Sequence, residues 1–340
     1  MKERNYRFDN LKLILIILVI FGHLLELFKG QSIETNKLYL IIYTFHMPLF
    51  IFITGIFAKF SKKKVFSLIF TYSIFQIIYR RFDLYLFNPT GTFTLTFTTP
   101  YWLLWYIFTI TLYTILIPII DTKNNVSKAI IIAIVTFLSF IANKEKSIGY
   151  YLSISRFFTF LPYFVLGFYF KDYINIIETK VLNNKAIKYI LLSIFTILVL
   201  LCSNYIIINN EIHQNMLYGS YSYESANYNI EYKIVFMLIA FSWIIFLYLL
   251  TPNIKINYIS ILGSNTFTIY LFHGFFVKYL QSERFFIFDI NTNLYLSLLI
   301  SIILVIFFGN KYISKVLRFI FCGDFFIFIY KKLFIKTEKQ

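Results

Sequence analysis

Four ionisable residues share one stripe of an apolar segment near the start of the chain. Phe8 to Phe28 reads FDNLKLILIILVIFGHLLELF, with Asp9 and Lys12 toward one end and His23 and Glu26 toward the other. On a helix, Lys12 and His23 fall about 20° apart, Asp9 and Glu26 stay within a stripe roughly 100° wide, and His23 lies roughly 16 Å along the axis from Lys12. A neutral imidazole suits removing a proton from a hydroxyl as its oxygen attacks. A carboxylate three residues on suits orienting that imidazole or stabilising its protonated form. Lysine at the far end suits holding a phosphate as a point charge. Ionisable groups at membrane depth normally face a bundle interior or a wet cavity, so this segment is read as one wall of a site.

Two more of the four histidines lie in apolar segments, His46 in FHMPLFIFITG and His273 in GSNTFTIYLFHGF. With the N-terminus inside, His23, His46 and His273 fall at one depth in the outer half of the membrane. His46, followed by Met47 and Pro48, is either a site residue or a group satisfying carbonyls freed at a proline kink. Thr266, Tyr270 and His273 share a helix face, which serves either the site or packing between helices. Arg156, in SISRFFTFLPYFVLG, either holds a glycan or anion or simply sits at the interface. Trp105, beside Trp102 and Tyr106, suits stacking on a sugar face, although aromatic belts at membrane interfaces have the same composition.

The elements that must carry these residues are membrane helices. The chain has 340 residues, is 59% hydrophobic and 22% aromatic, and has a mean hydropathy of +0.71, too apolar for a water-soluble domain. An all-α polytopic membrane protein with about ten transmembrane helices is expected, near 11–28, 38–59, 65–87, 101–120, 127–143, 157–171, 187–208, 230–250, 257–280 and 293–310. The first is not read as a cleavable signal. With both termini cytoplasmic, about two thirds of the 32 lysines and arginines fall on the inner side. The net charge of +16 is therefore topology and anionic-lipid contact rather than nucleic-acid binding. Lys62 to Lys64 belong to that signal. The two cysteines, Cys202 and Cys322, imply neither a disulfide nor a metal framework.

Outer loops at 88–100 and 209–229, rich in hydroxyls, amides and tyrosines, suit either a neutral glycan or plain solvent. One transmembrane domain over 1–310 is expected, followed by a basic amphipathic cytoplasmic tail over 311–340 whose run Phe325 to Tyr330 is too short to span.

Together these blocks resemble acyltransferase family 3, the bacterial membrane O-acyltransferases, and most closely the fucose 4-O-acetylase-like branch. FDNLKLILIILVIFGH, FHMPLFIFITG, SRFFTFLPYFVLG and LGSNTFTIYLFHG carry the match, which runs from Tyr6 to about Asn310. The resemblance implies a ten-helix fold in the bacterial cytoplasmic (inner) membrane, an acyl-CoA donor on the cytoplasmic side and a carbohydrate hydroxyl as acceptor. It carries Lys12 and His23 over as functional residues, with His46, Arg156, Tyr270 and His273 more weakly. Many members have arginine at the position of Lys12, and lysine lacks its bidentate fork. Some relatives continue into an extracellular esterase-like domain. Here the chain ends soon after the tenth helix, so transfer is expected within the membrane part or to a separate partner.

The expected activity is O-acetyl transfer from acetyl-CoA to a cell-surface glycan or its lipid-linked precursor, with no tightly bound cofactor and no metal. His23 serves as general base or as a transient acetyl carrier, Glu26 supports it, and His46, Tyr270 or His273 donate hydrogen bonds to the acceptor or the oxyanion. Lys12 holds a coenzyme A phosphate, and Arg156 and Trp105 contact the acceptor. The rival from another class is a polysaccharide exporter, weakened by the lack of an inverted repeat. A polymerase would carry an arginine-rich outer loop, and 209–229 contains no arginine.

Overall fold

Long apolar runs begin at hydroxyl, amide or carboxylate side chains that take up free backbone donors. Ser32, Ser61, Asn124, Asn229, Asp289 and Asn310 each accept from an N–H two or three residues on, which fixes where six of the helices start. The computed structural model describes residues 4–146, 149–208 and 214–323. Its elements, in chain order, are α1 (Arg7–Leu25), α2 (Ile33–Ile56), α3 (Lys62–Phe87), α4 (Trp105–Ile120), α5 (Asn125–Ile141), α6 (Ile154–Phe170), α7 (Ile174–Ile177), α8 (Lys185–Ile208), α9 (Gln214–Leu217), α10 (Ile230–Leu250), α11 (Asn257–Ser264), α12 (Thr266–Ser282), α13 (Ile290–Gly309) and α14 (Lys311–Phe321). The described residues contain no strand, and the protein is an all-α polytopic membrane protein.

Among the described residues, seven helical stretches are long and apolar enough to cross a membrane, those over α1, α2, α4, α6, α8, α10 and α13. Three segments counted as spans from the sequence do not reach that standard. Charges at both ends of α3 (Lys62 to Lys64, and Arg80, Arg81 and Asp83) leave only 65–79 free between them, while α5 and α12 have 17 residues each. The segment expected at 257–280 is broken at Asn265, whose side-chain amide donates to the Gly309 carbonyl at 2.9 Å. α1 starts at Arg7 rather than at residue 11, which buries Arg7, Asp9 and Asn10 within the bundle.

α1 runs through the middle, packed on α2, α10, α11, α12 and α13. In α2, 78% of the apolar window is buried against 6% in α8, which makes α2 central and α8 peripheral. α2 and α6 cross backbone to backbone. A Cβ at Gly55 would sit 2.2 Å from the Phe164 carbonyl oxygen, and one at Gly167 would sit 2.0 Å from that of Phe52. Small residues permit this approach, and close packing substitutes for the hydrophobic drive that lipid cannot supply.

At the Lys12 end the Arg7 guanidinium donates to the carbonyls of Tyr248 (3.0 Å) and Thr251, while its Nε meets Glu178 at 3.3 Å. Asn10 donates to the carbonyls of Pro252 and Ile254. These bonds lock the start of α1 to the end of α10. At the His23 end the segment 88–100 folds back against α3, where Gln76 donates to Thr96 and Thr99 and Tyr72 donates to Phe97. α14 packs on α3, α12 and α13, and the Ser67 hydroxyl donates to the Cys322 carbonyl at 2.6 Å. Phe325 to Tyr330 and the rest of the expected tail beyond 323 lie outside the described residues, as does the fourth histidine, His213.

Candidate active site

His23 lies in the last turn of α1, and its environment begins with the residue before it. A Cβ at Gly22 would meet Tyr43 Cε2 at 3.1 Å, so glycine leaves room for the Tyr43 ring to lie beside the imidazole. The Tyr43 hydroxyl is 3.1 Å from His23 Nδ1, and the Glu26 carboxylate is 3.9 Å from the same nitrogen. Trp102 packs edge-on to His23 with ring centroids 4.9 Å apart, while His273 stacks on it at 5.6 Å. The ring is thus clamped on several sides.

Glu26 caps α1, beyond its membrane span. Burial disfavours its charge, but the attraction of His23, a bond from Tyr218 and the nearby Lys29 outweigh that penalty. Its carboxyl titrates below the ordinary glutamate value. The Tyr218 hydroxyl donates to Glu26 Oε1 at 2.8 Å and meets the Tyr39 hydroxyl at 2.5 Å.

Tyr218 comes from the connection between α9 and α10, and Arg156 holds that connection in place. Arg156 Nε donates to the Tyr218 carbonyl at 2.9 Å and Nη2 to Ser220 Oγ at 3.3 Å, with the guanidinium 5.0 Å from the Trp105 ring and 5.1 Å from that of Tyr150. Ser155 Oγ adds a bond to the Gly219 carbonyl, and Asn143 another to that of Tyr221. Lys233, buried in α10, donates to Asn143 and to the Ser139 carbonyl and so braces the same loop.

These groups enclose a cavity of about 460 Å³. His23, Glu26, His46, Trp105, Arg156 and Tyr270, six of the eight residues nominated from the sequence, line it together with Tyr43, Trp102 and Tyr218. His46 is held by a 2.7 Å contact from Nδ1 to the Ile42 carbonyl and packs edge-on to Tyr43. Tyr270 donates its hydroxyl to the Leu103 carbonyl. The remaining two nominated residues lie elsewhere. His273 is fully buried behind His23, with Nδ1 3.1 Å from the Ile269 carbonyl, and its contact with the cavity runs through the His23 ring.

Lys12 lines a second, more apolar cavity of about 250 Å³, along with Lys64, Thr54 and Thr266, and its ammonium pairs with Asp9 at 2.9 Å. Met47 and Tyr270 line both cavities, so the Lys12 chamber and the His23 chamber adjoin across those two side chains. Among the described residues no group of histidine, cysteine and carboxylate side chains is arranged to hold a metal.

The sequence reading did not single out Tyr43 or Tyr218. Tyr43 carries a usable signal, since it sits three residues before His46 on the same helix face. Tyr218 stands among Tyr221, Tyr223 and Tyr228 with nothing to set it apart. The two segments rich in polar side chains, 88–100 and 209–229, do reach the site, through Pro100 from one and Gln214, Asn215, Tyr218 and Tyr221 from the other.

The family model described as an acyltransferase domain matches residues 5–310. Neither a curated protein nor a solved structure matches the chain significantly.

Proposed function

The chain belongs to that acyltransferase family, acyltransferase family 3, and from this premise we propose that it transfers an acetyl group from acetyl-CoA to a hydroxyl of a cell-surface carbohydrate or its lipid-linked precursor in the bacterial cytoplasmic membrane. The observation that carries the reading is the pair of adjoining chambers. The Lys12 chamber, mostly apolar with lysines in its wall, suits the pantetheine arm of coenzyme A with a phosphate at Lys12. The His23 chamber, with its imidazole, carboxylate and hydroxyls, suits a thioester meeting a sugar. The excess of positive charge at the Lys12 end supports a cytoplasmic donor.

In the proposed reaction the His23 Nδ1–H donates to the Tyr43 hydroxyl, which leaves the Nε2 lone pair as the base. The sugar oxygen attacks the thioester carbonyl carbon while its proton passes to Nε2. The carbon–sulfur bond then breaks, the imidazolium returns the proton to the departing thiolate, and the products are an acetyl ester and free coenzyme A. Glu26, kept ionised by its partners, stabilises the imidazolium between these steps. His46 and Tyr270, on the same chamber wall, serve the acceptor or the developing oxyanion, and Trp105 offers a face for the sugar. His273 keeps the His23 ring in place. Arg156 acts through the loop it holds.

The test compares O-acetyl content of the surface glycan in wild type and His23→Ala at equal membrane level. Loss of acetyl esters with the glycan otherwise present supports the proposal. Acetylation that persists while the glycan fails to reach the surface overturns it in favour of export.

A further inference from the structure

A third cavity, of about 540 Å³, shares His23, Glu26 and Trp102 with the chamber described above. Its far wall is the last turn of α12 and the bend that follows, including Lys278, Gln281 and Arg284. His23 therefore borders two spaces, one adjoining the Lys12 chamber and one that shares no lining residue with it.

The far wall is cationic, with Lys278 half-buried and Arg284 exposed on a bend whose backbone is held in place. The Lys278 side chain is 18% exposed, with its ammonium 5.1 Å from the Trp102 ring and 3.2 Å from Gln281 Oε1. Asp83 is 3.9 Å away, and the oxygen facing Lys278 already accepts the Tyr101 hydroxyl. Arg284 has φ +48°, a left-handed conformation uncommon for a non-glycine residue. The bend is held by the bond from Phe285 N–H to the Leu280 carbonyl, by Phe286 buried against Phe28 with centroids 4.9 Å apart, and by Gln31 donating to the Phe286 carbonyl. The Arg284 guanidinium has no hydrogen-bond or ion-pair partner among the described residues. Glu26, the one carboxylate in the lining, is occupied by His23 and Tyr218.

We propose that the acceptor carries a phosphate group and that this cleft receives its phosphate end, which Arg284 and Lys278 hold while the adjoining sugar extends past His23 into the first chamber. Arginine's planar fork matches phosphate oxygens, and lysine adds a point charge beside it. The volume is of the size that encloses a small-molecule ligand. This inference rests on the acyl-transfer reading and names its acceptor class.

The experiment uses the full chain in phosphatidylcholine proteoliposomes and compares acetyl transfer from labelled acetyl-CoA to N-acetylglucosamine 1-phosphate and to N-acetylglucosamine. The phosphorylated sugar should be preferred by at least about tenfold in kcat/KM, the scale of one charge-assisted hydrogen bond. Arg284→Gln and Lys278→Met should bring that ratio toward one, whereas Arg284→Lys should keep part of it. Equal use of both sugars by the wild type, or variants that slow both sugars equally, overturns the inference. A second readout is independent of turnover: sodium pyrophosphate should change tryptophan fluorescence through Trp102, and the response should vanish in Arg284→Gln. Should the wild type turn over no acetyl-CoA, the acyl-transfer reading falls while this binding result still decides the site. If phosphatidylglycerol in the vesicles abolishes the response, the two cations serve the bilayer and the inference is overturned.

Discussion

Tyr43→Phe isolates a single atom of the proposed machinery. The ring remains, packed 4.1 Å from Tyr39 and 4.7 Å from His46 by centroids, and only the hydroxyl 3.1 Å from His23 Nδ1 is lost. Glu26 does not replace it, since 3.9 Å is beyond hydrogen-bond reach. A bond to a charged partner is worth about 1.5–3 kcal/mol, and this one strengthens when the imidazole takes up the sugar's proton. At about 1.4 kcal/mol per decade, kcat should fall roughly 10- to 100-fold with little change in the KM for acetyl-CoA. The whole base is worth about 10² to 10⁴, so the loss should remain smaller than that of His23→Ala. The assay is acetyl transfer by purified protein for wild type, the two single variants and the double variant. In the His23→Ala background, Tyr43→Phe should cost almost nothing further, because the two groups act as one unit. A loss in Tyr43→Phe below about twofold, or an equal fold-loss in both backgrounds, would refute the argument that Tyr43 acts through His23.

Lys12→Ala should raise the KM for acetyl-CoA by about tenfold or more with a smaller effect on kcat, read from initial rates, since it removes a phosphate contact remote from the reacting atoms. Gly167→Ala puts a methyl 2.0 Å from the Phe52 carbonyl oxygen and should cost on the order of 1–3 kcal/mol or more, seen as a lower melting temperature and less protein in the membrane. Because the Glu26 pKa is depressed in the fold, its stabilising contribution is full above the unfolded value and disappears as pH falls through the lower folded value. The difference in melting temperature between wild type and Glu26→Gln should therefore shrink as pH falls below about 4.3.

The nominated residues whose placement could be read from the sequence share one property: regular helix geometry fixes their relative positions. His23, Glu26 and Lys12 are separated by known rotations along one helix, and the apolar filling between them forces the polar stripe inward. The level shared by His23, His46 and His273 followed from counting residues to the helix ends, and the rings do meet, His23 stacking on His273 and touching Tyr43, which packs on His46. What sequence periodicity cannot supply is how side chains are divided between partners at the same depth. His273 and Tyr270 sit three residues apart on α12, yet Tyr270, bonded to the Leu103 carbonyl, reaches two cavities, and His273, stacked on His23, reaches neither. The break at Asn265 depends on a backbone contact made across the bundle. A Cβ at Gly263 would lie 1.9 Å from the Asp9 carbonyl oxygen, so α11 must lie directly against α1 and the chain must turn before α12 can climb beside His23. Arg156 shows the same limit in functional terms. Its sequence position allowed a direct hold on an anion, but its Nε and one terminal nitrogen donate to the loop that carries Tyr218. A residue nominated to contact the acceptor thus lines the cavity and also braces the loop that carries Tyr218, and only the folded loop reveals that second connection.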